Sequence, residues 1–207
     1  MTRPALFIDR DGTVIADAHY LADAQLVRLL PATGAAMRLA RAAGVPVVIV
    51  TNQSGIARGL ITHAQYEATR DRTVSLIEAA GGEVLGTYHC PHLPDVTGPC
   101  ACRKPGLGMY QQAARDHGLA LAQSAYIGDR WRDVQPAVAT GGLGILVPGH
   151  ETPADDVERA EAATHQHRNI AVSHSLLDAV TLALARLGIG AVPPEPTGCL
   201  DSPLSQT

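Results

Sequence analysis

The sequence predicts an α/β protein: a doubly wound parallel sheet with helices on both faces. Two observations carry that reading. Short apolar runs such as "PALFI", "VPVVIV", "SAYIG" and "LGILV" alternate with longer stretches of helical periodicity, the pattern of βα units. The runs also lack a polar residue at every second position, as expected of strands covered on both faces. At 207 residues the chain is long enough for one domain with a full core.

In chain order, "PALFI" opens as a strand and ends against Asp9, Arg10 and Asp11. "TGAAMRLARAAG" reads as a helix, with Thr33 as a candidate N-cap and Gly44 at the position past its end. "VPVVIV" is a buried strand, and Thr62 to Ala80 a second helix. "EVLGTY" gives a weaker strand signal. Pro105 is placed as the first residue of a helix running to about His117, with Gly118 stopping it. "SAYIG" (strand), "DVQPAVATGG" (one short helix) and "LGILV" (strand) follow. Residues 149–168 turn polar and acidic with no strand signal. "NIAVS" reads as an edge strand and Ser175 to Leu187 as a closing helix. A single domain over 1–190 is expected, with 191–207, rich in Pro, Ser and Gly, as a disordered tail containing Cys199.

The net charge of −4 argues against nucleic acid or an anionic membrane as partner. No apolar run approaches the ~20 residues of a membrane span, and no signal peptide precedes the first strand, so a cytoplasmic protein is expected. The chain is expected to act as a monomer.

Asp9 and Asp11 are the first chemical signal. Two carboxylates this close repel, and each is costly to desolvate. In open parallel sheets, ligands bind beyond the carboxyl ends of the strands, where Asp9 lies. A cation with a taste for oxygen, most naturally magnesium, would relieve the repulsion. A carboxylate there can attack phosphorus, and a second one can protonate the leaving oxygen. Three further strand ends fit the same chemistry. Thr51, Asn52, Gln53 and Ser54 offer hydroxyls and amides beside a glycine. Lys104 brings a cation just ahead of the Pro105 helix. Asp129 completes a candidate metal site, and Asp133 is placed to cap the next helix or to orient the lysine.

"CPHLPDVTGPCAC" holds Cys90, His92, Cys100 and Cys102. Four such ligands suit a closed, tetrahedral, structural zinc site, with His89 as the competing histidine. Its loop leads directly into Arg103 and Lys104, which the zinc is expected to position.

Taken together, "DRDGTV", "VTNQSGIARG", the Cys-Pro-His cluster, "CRKP" and "GDRWRD" resemble the four motifs of haloacid-dehalogenase (HAD)-type phosphatases. Within them they resemble the D-glycero-D-manno-heptose-1,7-bisphosphate phosphatase branch, close to the histidinol-phosphate phosphatases. The resemblance covers about Ala5 to Val147. It implies a HAD-like (Rossmannoid) sheet without a large cap domain, so that the zinc loop is the mouth's only elaboration. It implies Asp9 as nucleophile, Asp11 as acid/base, and Thr51 and Lys104 as stabilisers of the phosphoryl group. Mg²⁺ would be held by the Asp9 carboxylate, the Asp11 backbone carbonyl and Asp129. Substrate contacts map to Asp17, His19, Tyr20, Asn52, Gln53, Ser54, Arg103 and Arg130. "DAHY" stands where the family has a D-H-G-Y-like loop, and Arg130 where the heptose branch usually has lysine and the histidinol branch often arginine. The implied substrate is a small phosphate ester, a sugar bisphosphate such as heptose 1,7-bisphosphate. Histidinol phosphate or another small sugar phosphate is the alternative. The surplus of arginines near the mouth (Arg58, Arg103, Arg130, Arg132) favours the bisphosphate.

Overall fold

The computed structural model describes residues 2–189. The tail expected beyond 190, with Cys199, lies outside the described residues. In chain order the elements are β1 (Leu6–Ile8), α1 (Thr33–Ala42), β2 (Val47–Asn52), α2 (Ser54–Ala57), α3 (His63–Ala79), β3 (Gly86–Cys90), α4 (Pro94–Thr97), α5 (Gly108–His117), β4 (Ala125–Gly128), α6 (Trp131–Val134), α7 (Pro136–Thr140), β5 (Leu143–Leu146), α8 (Ala154–Gln166), β6 (Ile170–Val172) and α9 (Leu176–Arg186).

All six strands are parallel, in the order β3-β2-β1-β4-β5-β6. β1 pairs with β2 (Leu6 opposite Val47) and with β4 (Leu6 opposite Ala125). The chain therefore winds outward in one direction through β2 and β3 and in the other through β5 and β6. The crevice left between β1 and β4 at such a reversal is where open sheets bind ligands.

Alternate strand residues feed two cores. Leu6, Ile8, Ile49, Ile127 and Ile145 pack under α1 and α9, with Met37, Ala40, Val180 and Leu184 from those helices. Phe7, Val48, Val50, Tyr126 and Leu146 pack under α5, α7 and α8. Aromatics make up only 3% of the chain, yet three meet here: Phe7 stacks on Tyr126 at 5.3 Å between centroids, and Tyr110 meets both edge-on. No helix among the described residues is long and apolar enough to cross a membrane, and no large cap is inserted among them.

Several elements differ from expectation for physical reasons. Thr33 does not cap α1. It is the first helical residue, and its hydroxyl donates to Val14 O at 2.7 Å. β3 runs three residues later than "EVLGTY" suggests. As an edge strand it carries the half-exposed Thr87, Tyr88 and His89, which hide its period. α5 begins at Gly108, not Pro105, because residues 101–108 are folded back by Gly106 N–H to Arg103 O and Gly108 N–H to Ala101 O. No helix start therefore abuts Lys104. "DVQPAVATGG" forms two short helices meeting at Gln135. Residues 154–166 form α8, whose buried face is only Ala160 and Ala163, too small a contrast to register as helical periodicity.

Candidate active site

The ends of β1, β2 and β4 converge around one buried ion cluster. Asp9 follows β1 and donates its N–H to Ile127 O, so it sits directly over the β1/β4 junction. Lys104 is 3% exposed. Its ammonium donates to an Asp9 carboxylate oxygen and to Val50 O, and lies 2.7 Å from Asp133 Oδ1. Burial pulls the Lys104 pKa down, but Asp133 and Asp9 outweigh it and leave the group raised and firmly charged. Burial holds the Asp9 carboxyl well above the ordinary carboxylate range; Lys104 opposes the shift, and Asp133, Asp129 and Asp11 add to it. The Asp129 carboxyl is pushed up to about 6, by burial first and Asp133 next.

Asp9, Asp129 and Asp133 bring carboxylate oxygens within 4.8 Å of one another. One lysine and one arginine (Arg130 Nε to Asp129 Oδ2, 3.1 Å) face these three acids. Asp129 Oδ1 is buried without a hydrogen-bond partner. An all-oxygen donor set with an orphaned buried carboxylate oxygen fits a hard divalent cation. The Asp11 carboxylate stands outside this cluster. Two glycines make the packing possible. A Cβ on Gly12 (φ +81°) would lie 2.6 Å from Asp129 Oδ2, and one on Gly128 would lie 2.4 Å from Asp133 Cβ. Asp133 performs both tasks considered for it: Oδ2 accepts from Arg130 N–H at the start of α6, and Oδ1 meets Lys104.

The Asp11 side chain turns into a second set of contacts. Oδ2 accepts from Thr51 Oγ1 (3.1 Å) and from Gln53 Nε2 (2.7 Å), and both oxygens face Arg10. Above it opens a cleft of about 370 Å³ lined by Asp17, His19, Tyr20, Asn52, Gln53, Ser54, Arg130, Arg132 and Glu151, with Arg10 and Asp11 at its base. All the substrate positions expected from sequence line it except Arg103. Arg103 instead donates to His92 O at 3.2 Å. Arg58 is exposed and lies off the cleft. The Asn52 amide is engaged with the Lys104 backbone in both directions (3.0 and 3.2 Å), tying the β2 end to the lysine segment. Sequence reasoning missed Arg10, Glu151 and Thr152, whose hydroxyl donates to Asp129 O at 2.9 Å. For Arg10 the signal was present: a guanidinium between two acids at a buried strand end.

Beside the cleft, Cys90, His92, Cys100 and Cys102 gather their donor atoms, with neighbouring separations of 3.1 to 3.6 Å. A tetrahedral zinc with ~2.3 Å bonds to sulfur has edges of about 3.8 Å, so the set is compatible with zinc. Burial pushes the Cys90 thiol up to about 12, so its thiolate calls for a cation. The rival His89 instead stacks on Tyr66 at 4.1 Å.

A parallel sheet with a buried aspartate at the end of its first strand, a lysine on that aspartate and an acidic cluster at the fourth strand defines a HAD-like phosphatase. The chain matches the HAD-hydrolase-like family model over residues 101–179 and the polynucleotide kinase 3 phosphatase model over residues 7–139. It is 38% identical over 146 residues to the D-glycero-beta-D-manno-heptose-1,7-bisphosphate 7-phosphatase of Haemophilus ducreyi, covering 68% of this chain and 80% of that protein. The enzyme of the same name from Escherichia coli K12 is 35% identical over 163 residues, 76% of this chain and 85% of that one. The solved D,D-heptose 1,7-bisphosphate phosphatase of B. bronchiseptica, complexed with magnesium and phosphate, superposes with a TM-score of 0.74 at 31% identity, over 88% of this chain and 99% of that one. The chain belongs to the HAD-superfamily family of D-glycero-D-manno-heptose-1,7-bisphosphate 7-phosphatases.

Proposed function

We propose that this chain is a Mg²⁺-dependent phosphomonoesterase that removes the 7-phosphate of D-glycero-D-manno-heptose 1,7-bisphosphate through an aspartyl-phosphate intermediate. The observation that carries this reading is the pairing at the β1 end. Asp9 is 8% exposed and held by a buried lysine, and Asp11, two residues on, faces the cleft on its own hydrogen bonds. Asp9 attacks phosphorus. Asp11 gives its proton to the leaving ester oxygen, then takes one from the water that opens the acyl phosphate. Lys104 offsets charge gathering on the phosphoryl oxygens, as would the Thr51 hydroxyl once its hydrogen turns from Asp11 to the phosphoryl group. Asp9, Asp129 and the Asp11 carbonyl would hold magnesium, which when bound supplies positive charge to the same oxygens.

Asp17, His19, Tyr20, Asn52, Gln53, Ser54, Arg103 and Arg130 are read as substrate contacts. Arg130 and Arg132 at the mouth suit a second phosphate that stays uncleaved. Asp17 and Glu151 share that mouth, and an amine-bearing ester such as histidinol phosphate would want such acids; this is the second reading. A 3′-phosphorylated polynucleotide is disfavoured, since 16 basic residues stand against 20 acidic ones and aromatics for stacking are scarce. The Cys₃His set is read as structural zinc. The deciding experiment is steady-state hydrolysis of heptose bisphosphate, histidinol phosphate and a 3′-phosphorylated oligonucleotide side by side, with and without Mg²⁺. The highest kcat/KM is expected for heptose bisphosphate with Mg²⁺; faster turnover of histidinol phosphate moves the assignment to the second reading.

A further inference from the structure

We propose that Arg10 is a positioning residue, fixed by α3, that sets the orientation of the Asp11 carboxylate before substrate arrives. The proposal rests on the reading of Asp11 as acid and base. Arginine is rarely buried without a partner that justifies it, yet Arg10 is 2% exposed. Its guanidinium is committed to Asp11: Nε lies 3.2 Å from each carboxylate oxygen, and Nη2 lies 3.0 Å from Oδ1. The remaining Nη1 donates to Thr69 Oγ1 at 3.3 Å, and the guanidinium carbon stands 5.4 Å from the centre of the Tyr66 ring. Tyr66 and Thr69 are three apart on one face of α3, and both are fully buried.

The fork therefore has a fixed back wall and a fixed front partner. Thr51 and Gln53 hold Oδ2 from the other side, so neither oxygen is free to swing. A planar fork transmits orientation in a way that an ammonium cannot, and a pre-set acid spares the reaction a reorganisation cost.

The chemistry gives a specific readout. When the phosphorus–oxygen bond breaks, a sugar alkoxide needs the Asp11 proton, whereas p-nitrophenolate leaves without it. A misoriented Asp11 must slow an alkyl phosphate more than an aryl phosphate. A loss of mere foldedness slows both alike.

Arg10→Ala and Asp11→Asn should be compared on a primary alkyl phosphate and on p-nitrophenyl phosphate, with zinc content and thermal midpoint confirming the fold. For Arg10→Ala, kcat is expected to fall on the order of 10²-fold on the alkyl ester and less than about tenfold on the aryl ester, with KM nearly unchanged. Thr69→Val should show the same split more weakly, and Thr69→Ser should restore it. In the Asp11→Asn background, Arg10→Ala should cost nothing further. Equal losses on both esters, or an effect confined to KM, would overturn the proposal. A split in Asp11→Asn with none in Arg10→Ala would overturn it while leaving the acid role standing; no split in either would remove both. Should Arg10→Ala fail to fold, the Thr69→Val and Thr69→Ser pair decides.

Discussion

Asp9 sits where charge is hardest to keep: buried, among three other acids, with one lysine to steady it. Asp9→Asn removes the attacking oxygen and relieves some of that repulsion. It should fold normally and retain under a tenth of wild-type turnover, a loss of more than ~1.4 kcal/mol in barrier, measured on any ester the native protein hydrolyses. Gly128 offers the complementary test. An added Cβ would press within 2.4 Å of Asp133 Cβ, so Gly128→Ala should cost about 1–3 kcal/mol in denaturant unfolding and displace the partner of Lys104. These residues stood out in sequence because their types are costly at strand ends. Thr152 and the anchor of Arg10 did not, because their significance lies in contacts across 23 residues (Thr152 to Asp129) and 59 (Arg10 to Thr69).

At the scale of elements, two loops carry testable consequences. The segment from β3 to α5 has little core of its own. It is held by the Cys₃His set, by Arg103 on His92 and by Asn52 on Lys104. Cys102→Ser should lower bound zinc, read by metal analysis, and depress the thermal midpoint. Turnover should fall with them, since the same segment delivers Lys104. Absence of zinc from protein purified without chelator would defeat this. In the loop at the mouth, His19 and Tyr20 adopt positive φ (35° and 63°), where a side chain costs about 1–2 kcal/mol. His19→Gly should raise stability by up to about 1 kcal/mol in urea unfolding while loosening the cleft wall. Element boundaries were legible where burial was complete, as for β4 and β5. They were lost where an edge strand mixed polar and apolar faces (β3), where alanines supplied the buried face (α8), and where the metal loop displaced a helix start (α5).

For the molecule as a whole, the fold was legible in the sequence because the central strands β1, β4 and β5 are short unbroken apolar runs, and the site because Asp9, Thr51 and Asp129 stand at strand ends. Sheet order was not legible, since parallel strands carry no local sign of their neighbours. One linkage follows from the acidic cluster. Burial, with Asp133 beside it, pushes the Asp129 carboxyl up to about 6, above the ordinary carboxylate value of 3.8. A carboxyl with a raised folded pKa favours folding most below its unfolded pKa and loses that contribution as pH rises through 6. A divalent cation competes with that proton. The rise in thermal midpoint on adding Mg²⁺ should therefore be larger at pH 7.5 than at pH 5.5, compared between samples of equal zinc content by metal analysis; equal rises would argue that Mg²⁺ binds elsewhere.

β1 lies in the middle of the sheet, with Leu6 opposite Val47 on one side and Ala125 on the other. The first contact closes early in synthesis. The second spans 119 residues in sequence, as the bond from Ala5 N–H to Ser124 Oγ shows, and closing such a loop costs about 4 kcal/mol plus a constant. Half of the sheet can thus assemble while Asp9 still lacks Asp129 and Asp133. Catalysis becomes a clock for the late stage of folding: on dilution from denaturant, helical circular dichroism should return ahead of phosphatase activity, and a nascent chain that has not yet released β4 from the ribosome should hydrolyse nothing.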